Sequence, residues 1–159
     1  MLDIEGPAGT DLLATCRELG VAVVAYAPLG RGLLTASFAS NEAADSKDMR
    51  PQVFPRFQEE NREKNMRLVN QFKAMADKKG CTTSQLSIAW LLKQGNDIFP
   101  IPGTKKIKYL EDNWGSLKVQ LTDEEEAEIR KFVETAEIAG GTLPPGMEDR
   151  RLVETKEES

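Results

Sequence analysis

Two short segments of this chain have the composition of strands covered on both faces of a parallel sheet. Val21-Ala22-Val23-Val24-Ala25-Tyr26 is apolar at every position and rich in β-branched residues, and Asp97-Ile98-Phe99-Pro100-Ile101 repeats the pattern after its first residue. Two parallel strands neither close a barrel nor make a stable sheet by themselves. An amphipathic stretch runs up to the first of them, opening at Thr10-Asp11 with Leu12, Leu13, Cys16 and Leu19 on one face and Gly20 where a helix C-cap belongs. A helix leading into a buried strand is half of a βα repeat, so this helix is expected to belong to a preceding strand. The chain therefore reads as the C-terminal part of a larger α/β fold.

Between the strands the pattern changes twice. Residues 37–58 are polar, Pro-interrupted and aperiodic, which predicts a long loop on the C-terminal side of the first strand. Asn61 to Lys79 then has Met66, Val69, Phe72 and Ala76 on one helical face, and Gly80 stops it. Thr82-Thr83-Ser84-Gln85 is a capping box for the next helix, which carries Leu86, Ala89 and Trp90, and Thr122-Asp123-Glu124-Glu125 is another for a last helix with Ala127, Ile129, Val133 and Ala136 inward. A further helix is expected from near Lys106. Trp90 and Trp114 both read as core anchors.

Composition removes whole classes of chemistry. With 21 basic and 26 acidic residues among 159, the net charge is -5, so the chain lacks the basic excess that nucleic acid or an anionic membrane requires. It contains no histidine, which excludes His-ligated metals and Ser-His or Cys-His catalysis by its own residues. Its two cysteines are Cys16 and Cys81, too few for a disulfide framework. No segment is long and apolar enough to span a bilayer, and the start Met1-Leu2-Asp3-Ile4-Glu5 is acidic where a targeting peptide would be basic, so a soluble, cytoplasmic protein is expected.

Each strand is followed by a glycine-bearing turn: Ala27-Pro28-Leu29-Gly30-Arg31-Gly32 after the first, and Pro102-Gly103-Thr104-Lys105-Lys106 after the second. In βα architectures the C-terminal strand edge carries the ligand. Glycines allow close backbone approach, a helix start offers free N–H groups, and Arg31, Lys105 and Lys106 offer positive charge. The pattern suits a phosphorylated ligand or, turn by turn, a plain βα loop with surface cations, and Tyr26 could stack on a flat ring or be a core aromatic at a barrel rim. Tyr109, Asp112 and Asn113 follow at i, i+3 and i+4, as groups that could hold a base or ribose edge or lie on a solvated face.

These residues carry a family resemblance. The run from Cys16 to Thr35, through Val24-Ala25-Tyr26-Ala27-Pro28-Leu29-Gly30-Arg31-Gly32-Leu33-Leu34, resembles the seventh-strand segment of aldo-keto reductases. Ile101-Pro102-Gly103-Thr104-Lys105-Lys106 with Tyr109-Leu110-Glu111-Asp112-Asn113 resembles their eighth-strand cofactor motif, and Gly80 to Leu92 matches the helix between. Fungal NADP-dependent members of the pyridoxal reductase and aryl-alcohol dehydrogenase type are the most similar. The resemblance implies a (β/α)8 TIM barrel, here incomplete, that holds NADP(H) and reduces small carbonyl substrates, aldehydes or ketones, by hydride transfer. It implies that Tyr26 lies beside the nicotinamide, that Ala27, Pro28, Leu29, Gly30, Arg31 and Gly32 line its ribose and the pyrophosphate, and that Gly103, Thr104 and Lys105 meet the 2'-phosphate, with Tyr109, Asp112 and Asn113 at the adenine.

The resemblance runs to about residue 139, and the remainder, 140–159, reads as a loose tail. The family's catalytic Asp, Tyr, Lys and His lie on earlier strands, so no catalytic residue is expected here. The alternative is a non-catalytic NADP-binding, regulatory or assembly protein of the same fold. An exposed half-barrel face is expected to leave the isolated chain a molten monomer, an oligomer or an aggregate, self-association through that face being one of these outcomes.

Overall fold

A computed structural model of the chain describes residues 12–35, 38 and 48–147. The expected elements follow one another in the expected order. Helix α1 (Leu12–Glu18) leads into β1 (Val23–Tyr26), and a 3-10 turn follows at Gly30–Gly32. After short α2 (Arg50–Val53) and a 3-10 turn at Pro55–Phe57 come α3 (Glu59–Lys79), α4 (Thr83–Lys93), β2 (Ile98–Ile101), α5 (Ile107–Gly115) and α6 (Asp123–Thr135). The two strands are parallel neighbours, in register Val23↔Ile98 through Tyr26↔Ile101. Among the described residues this is a two-stranded part of a (β/α)8 barrel with its flanking helices.

Local chemistry explains most boundaries. Gly20 and Gly80 take left-handed φ of 66° and 74°. Val21 N–H reaches back to Cys16 C=O and Cys81 N–H to Ala76 C=O, closing two Schellman caps. The first cap is why β1 starts at Val23 rather than at the expected Val21. Both capping boxes are complete, Thr82 with Gln85 and Thr122 with Glu125, each stabilising its helix by about 1 kcal/mol. Lys79, in the last turn of α3, bonds Glu125 in the first turn of α6 at 2.6 Å, which suits both helix dipoles.

The core lies on the helical side of the sheet. Phe72 and Ala76 of α3, Leu86, Ala89, Trp90 and Leu91 of α4, Leu121, and Ile129 of α6 form one cluster. A smaller one joins Leu33, Phe38, Phe57 and Val69. Ile98 is buried on the sheet face toward α4, while Val24, Tyr26, Phe99 and Ile101 are exposed on the other.

Several expectations need correction. The strands are covered on one face, not two, because no described element packs on the side of Tyr26 and Ile101. Trp114 is not a core anchor: it is 70% exposed, and with Ile107 and Leu110 it forms an apolar stripe of α5 that faces outward. Leu12, Leu19 and Ala127 are also exposed. The predicted loop over 37–58 contains α2 and a 3-10 turn in its second half; residues 37 and 39–47 lie outside the described residues. The tail from 140 is tied down as far as it is described: Asn65 grips Ala139 and Arg31 reaches Thr142 C=O. Gly140 packs so closely on Pro55 and Arg56 that a Cβ would stand 2.6 Å from their backbone. Residues 148–159 lie outside the described residues.

Candidate functional site

Because Tyr26 and Ile101 are register partners, the two glycine-bearing turns leave the same edge of the sheet side by side. The first is conformationally unusual. Ala27 and Arg31, neither a glycine, have left-handed φ of 51° and 57°, and Gly30 and Gly32 have φ of 58° and 98°. Such backbone costs of order 1–3 kcal/mol per non-glycine residue and persists only where its surroundings hold it.

The surroundings do so through named contacts. Gly30 N–H donates to Ala27 C=O at 2.9 Å and Gly32 N–H to Leu29 C=O at 3.0 Å. Ser87 of α4 donates to Pro28 C=O at 2.8 Å, and Arg50 to Arg31 C=O at 2.9 Å. Asp48 accepts from Arg50 at 2.7 Å, and this guanidinium holds the Asp48 carboxyl below its usual range. A Cβ on Gly32 would displace the Arg50 guanidinium, and the left-handed φ of 98° is strained for any other residue.

The predicted site residues divide by environment. Tyr26 is 72% exposed, its ring on the open face of the sheet. Pro28 is buried, and Ala27, Leu29, Gly30 and Gly32 present backbone at the turn. Arg31 differs from expectation in its side chain, which stacks over the Phe54 ring at 4.3 Å and donates to Thr142 C=O. Its guanidinium is a strut between two segments, leaving its backbone to the turn.

The second turn is open. Gly103, Thr104, Lys105 and Lys106 are all exposed, and Thr104 Oγ1 accepts from Lys106 N–H at 3.2 Å. Among the described residues no side chain caps the start of α5, where Lys105, Lys106 and Lys108 are exposed and Tyr109 N–H bonds back to Lys106 C=O at 3.0 Å. A helix N-terminus flanked by ammonium groups favours an anion.

Tyr109, Asp112 and Asn113 do not share one environment. Tyr109 is exposed, with the Lys106 and Lys108 ammonium groups 5.7 and 5.9 Å from its ring centre. Asp112 accepts from Thr82 Oγ1 at 3.1 Å, and its carbonyl accepts from Gln85, which fastens α5 to the start of α4; Asn113 is buried. Sequence reasoning missed Asn65, Arg50 and Phe54, which hold the loop. Of these Asn65 left a trace, as a polar residue four before Val69 on the apolar face of α3.

A nicotinamide dinucleotide phosphate fits what is present. Left-handed backbone beside an open, cationic helix start suits a pyrophosphate and a further phosphate, and the exposed Tyr26 ring suits a flat heterocycle. Among the described residues no cluster of acidic or cysteine side chains could hold a metal, and no helix is long and apolar enough to cross a membrane.

The chain is similar to known proteins in sequence and in fold. The aldo-keto reductase yakc of Schizosaccharomyces pombe, whose name specifies NADP(+), is 45% identical over 154 residues, covering 97% of this chain and 45% of its own. The aldo-keto reductase str7 of Strobilurus tenacellus is 47% identical over 140 residues, 88% of this chain and 41% of its own. The chain thus spans less than half the length of these relatives. The solved glycerol dehydrogenase AKR11B4 of Gluconobacter oxydans superposes with a TM-score of 0.65 at 28% identity, over 77% of this chain and 37% of that one. Residues 8–134 match the model of the aldo/keto reductase family, and the chain belongs to that family.

Proposed function

We propose that this chain supplies the cofactor-binding part of an NADP-dependent aldo-keto reductase. The observation that carries the reading is the pairing of two neighbouring turns, one of left-handed backbone at Ala27–Gly32 and one of exposed lysines at an uncapped helix start. When bound, NADPH supplies the hydride for reduction of an aldehyde or ketone. Tyr26 stacks against the nicotinamide. The backbone of Ala27, Pro28, Leu29, Gly30, Arg31 and Gly32 borders its ribose and the pyrophosphate, whose charge finds amide donors rather than the Arg31 guanidinium. Gly103 and Thr104 bring the chain close to the 2'-phosphate, and Lys105 supplies the charge that selects NADP over NAD. Tyr109 covers the adenine, with Asp112 and Asn113 setting the orientation of its helix.

The titration of the chain with NADP+ and NAD+ tests this reading. Lys105→Ala is expected to weaken NADP+ binding by about 1–3 kcal/mol, roughly five- to 150-fold, while changing NAD+ binding little. Equal losses for both would remove Lys105 from the 2'-phosphate, and no binding of either would remove the reading.

A second reading, a non-catalytic NADP-binding or assembly protein of the same fold, is favoured by one feature. The chain has no histidine and only two tyrosines, Tyr26 and Tyr109, both at proposed cofactor positions, so no tyrosine or histidine is left to act as the general acid of a carbonyl reduction. On either reading, the exposed apolar face of Val24, Tyr26, Phe99 and Ile101 and the outward stripe of α5 call for a partner surface. Sedimentation velocity is expected to show species above 17.6 kDa that grow with concentration. A single 17.6 kDa species throughout would refute self-association.

A further inference from the structure

The peptide between Arg31 and Gly32 is fixed at both ends. Its carbonyl accepts from Arg50 Nη1 at 2.9 Å, and its N–H, that of Gly32, donates to Leu29 C=O at 3.0 Å. Arg50 opens α2 and is itself braced. Asp48 accepts from Arg50 Nε at 2.8 Å and Nη2 at 2.7 Å, a bidentate pair, and from the Arg50 backbone N–H at 3.0 Å. The Phe57 ring centre lies 5.2 Å from the guanidinium carbon. With the Asp48 side chain only 13% exposed, the pair is screened little by solvent and leaves Nη1 aimed at the turn.

The turn needs an outside hold of this kind. Arg31, at φ 57°, occupies backbone that only glycine adopts freely. Within the turn, the N–H groups of Gly30, Gly32, Leu33 and Leu34 all donate to turn carbonyls. Among the described residues no bond takes the N–H of Leu29 or of Arg31, which are the donors left for a ligand. The φ of Arg31 sets the direction of its N–H relative to the peptide that Arg50 holds. Holding that peptide therefore holds the donor, and a donor aligned before binding spares the complex the cost of ordering it.

We propose that Arg50, braced by Asp48, is a positioning residue for the pyrophosphate of the dinucleotide and acts through the Arg31 peptide. The inference rests on the cofactor reading above and goes beyond it: it assigns Arg50 an effect on the part of the ligand that NADP+ and NAD+ share, where Lys105 affects the part in which they differ. Three ligands separate the two ends of the site. NADP+ and NAD+ both carry the pyrophosphate, and adenosine 2'-phosphate carries only the group proposed for Lys105. The dinucleotides are titrated into the full chain by calorimetry, and adenosine 2'-phosphate is followed through the Thr104 and Lys105 amide resonances.

Arg50→Gln is expected to weaken NADP+ and NAD+ alike, by about tenfold, and to leave adenosine 2'-phosphate within about twofold. Asp48→Ala, which keeps Arg50 and the turn in place should Arg50→Gln fail to fold, is expected to reproduce that pattern. The double variant is expected to lose no more than about twofold beyond Arg50→Gln, because the two side chains act as one unit. An unsubstituted chain that binds neither dinucleotide would overturn the cofactor reading and this proposal with it. Binding by the unsubstituted chain with a loss below about twofold in both variants would overturn the role of Arg50 alone. So would an equal loss for adenosine 2'-phosphate, a loss confined to NADP+, or losses that multiply in the double variant.

Discussion

Trp90→Ala is expected to lower the free energy of unfolding by about 3–5 kcal/mol, whereas Trp114→Ala is expected to change it by less than about 0.5 kcal/mol. Trp90 packs in the cluster that joins α3, α4 and α6, with Phe72, Leu86 and Ile129 in the same cluster. Its ring also lies 5.6 Å from the Arg130 guanidinium. Removing the indole forfeits its burial and leaves a space that neighbouring side chains close only in part. Trp114 is 70% exposed and forfeits little. Urea unfolding of the two variants under identical conditions measures the difference, and equal destabilisation would mean that the outward stripe of α5 is covered in solution.

Asn65→Ala is expected to cost about 3–5 kcal/mol, although it removes no large apolar group. Asn65 is fully buried and joins α3 to two other segments, at Arg56 C=O, Ala139 C=O and Ala139 N–H, each at 2.8–2.9 Å. Alanine leaves three backbone groups without this partner, and each unmade bond at a dry site costs about 1–3 kcal/mol. Asn65→Asp is expected to be at least as damaging, because a carboxylate would face two carbonyl oxygens that now accept amide hydrogens. Both variants should loosen the segment 139–142 before the rest of the chain, which proteolysis and amide exchange would detect. A loss below about 1 kcal/mol for Asn65→Ala would show that water satisfies those groups and that the clamp is not structural.

Much of the fold was legible because its signals are local. The capping boxes at Thr82 and Thr122, the Schellman glycines Gly20 and Gly80, and the period of Val69, Phe72 and Ala76 each act within four or five residues, so spacing reveals them. The parallel pair was legible for a related reason: two apolar, β-branched runs separated by helices have few other ways to pair. The candidate site was legible as two turns in the same position relative to their strands. Its side-chain geometry was not, and Arg31 illustrates why. A cation in a glycine turn reads as a phosphate contact, but its guanidinium meets Phe54 and a carbonyl 111 residues away.

The sequence by itself determined the order of the main elements, the parallel strand pairing and the place of the two turns, since these follow from periodicity, caps and motif spacing along the chain, and its motifs carried the resemblance to the family. Tertiary structure alone decided which tryptophan is buried, which face of the sheet is covered, where Arg31 reaches, and that Asn65 clamps Ala139. Ile107, Leu110 and Trp114 show the physical reason. Their spacing creates an apolar stripe as surely as that of α4, but a stripe is buried only where another element packs on it. Trp90 meets α3 and α6 across the core, whereas Trp114 is 70% exposed.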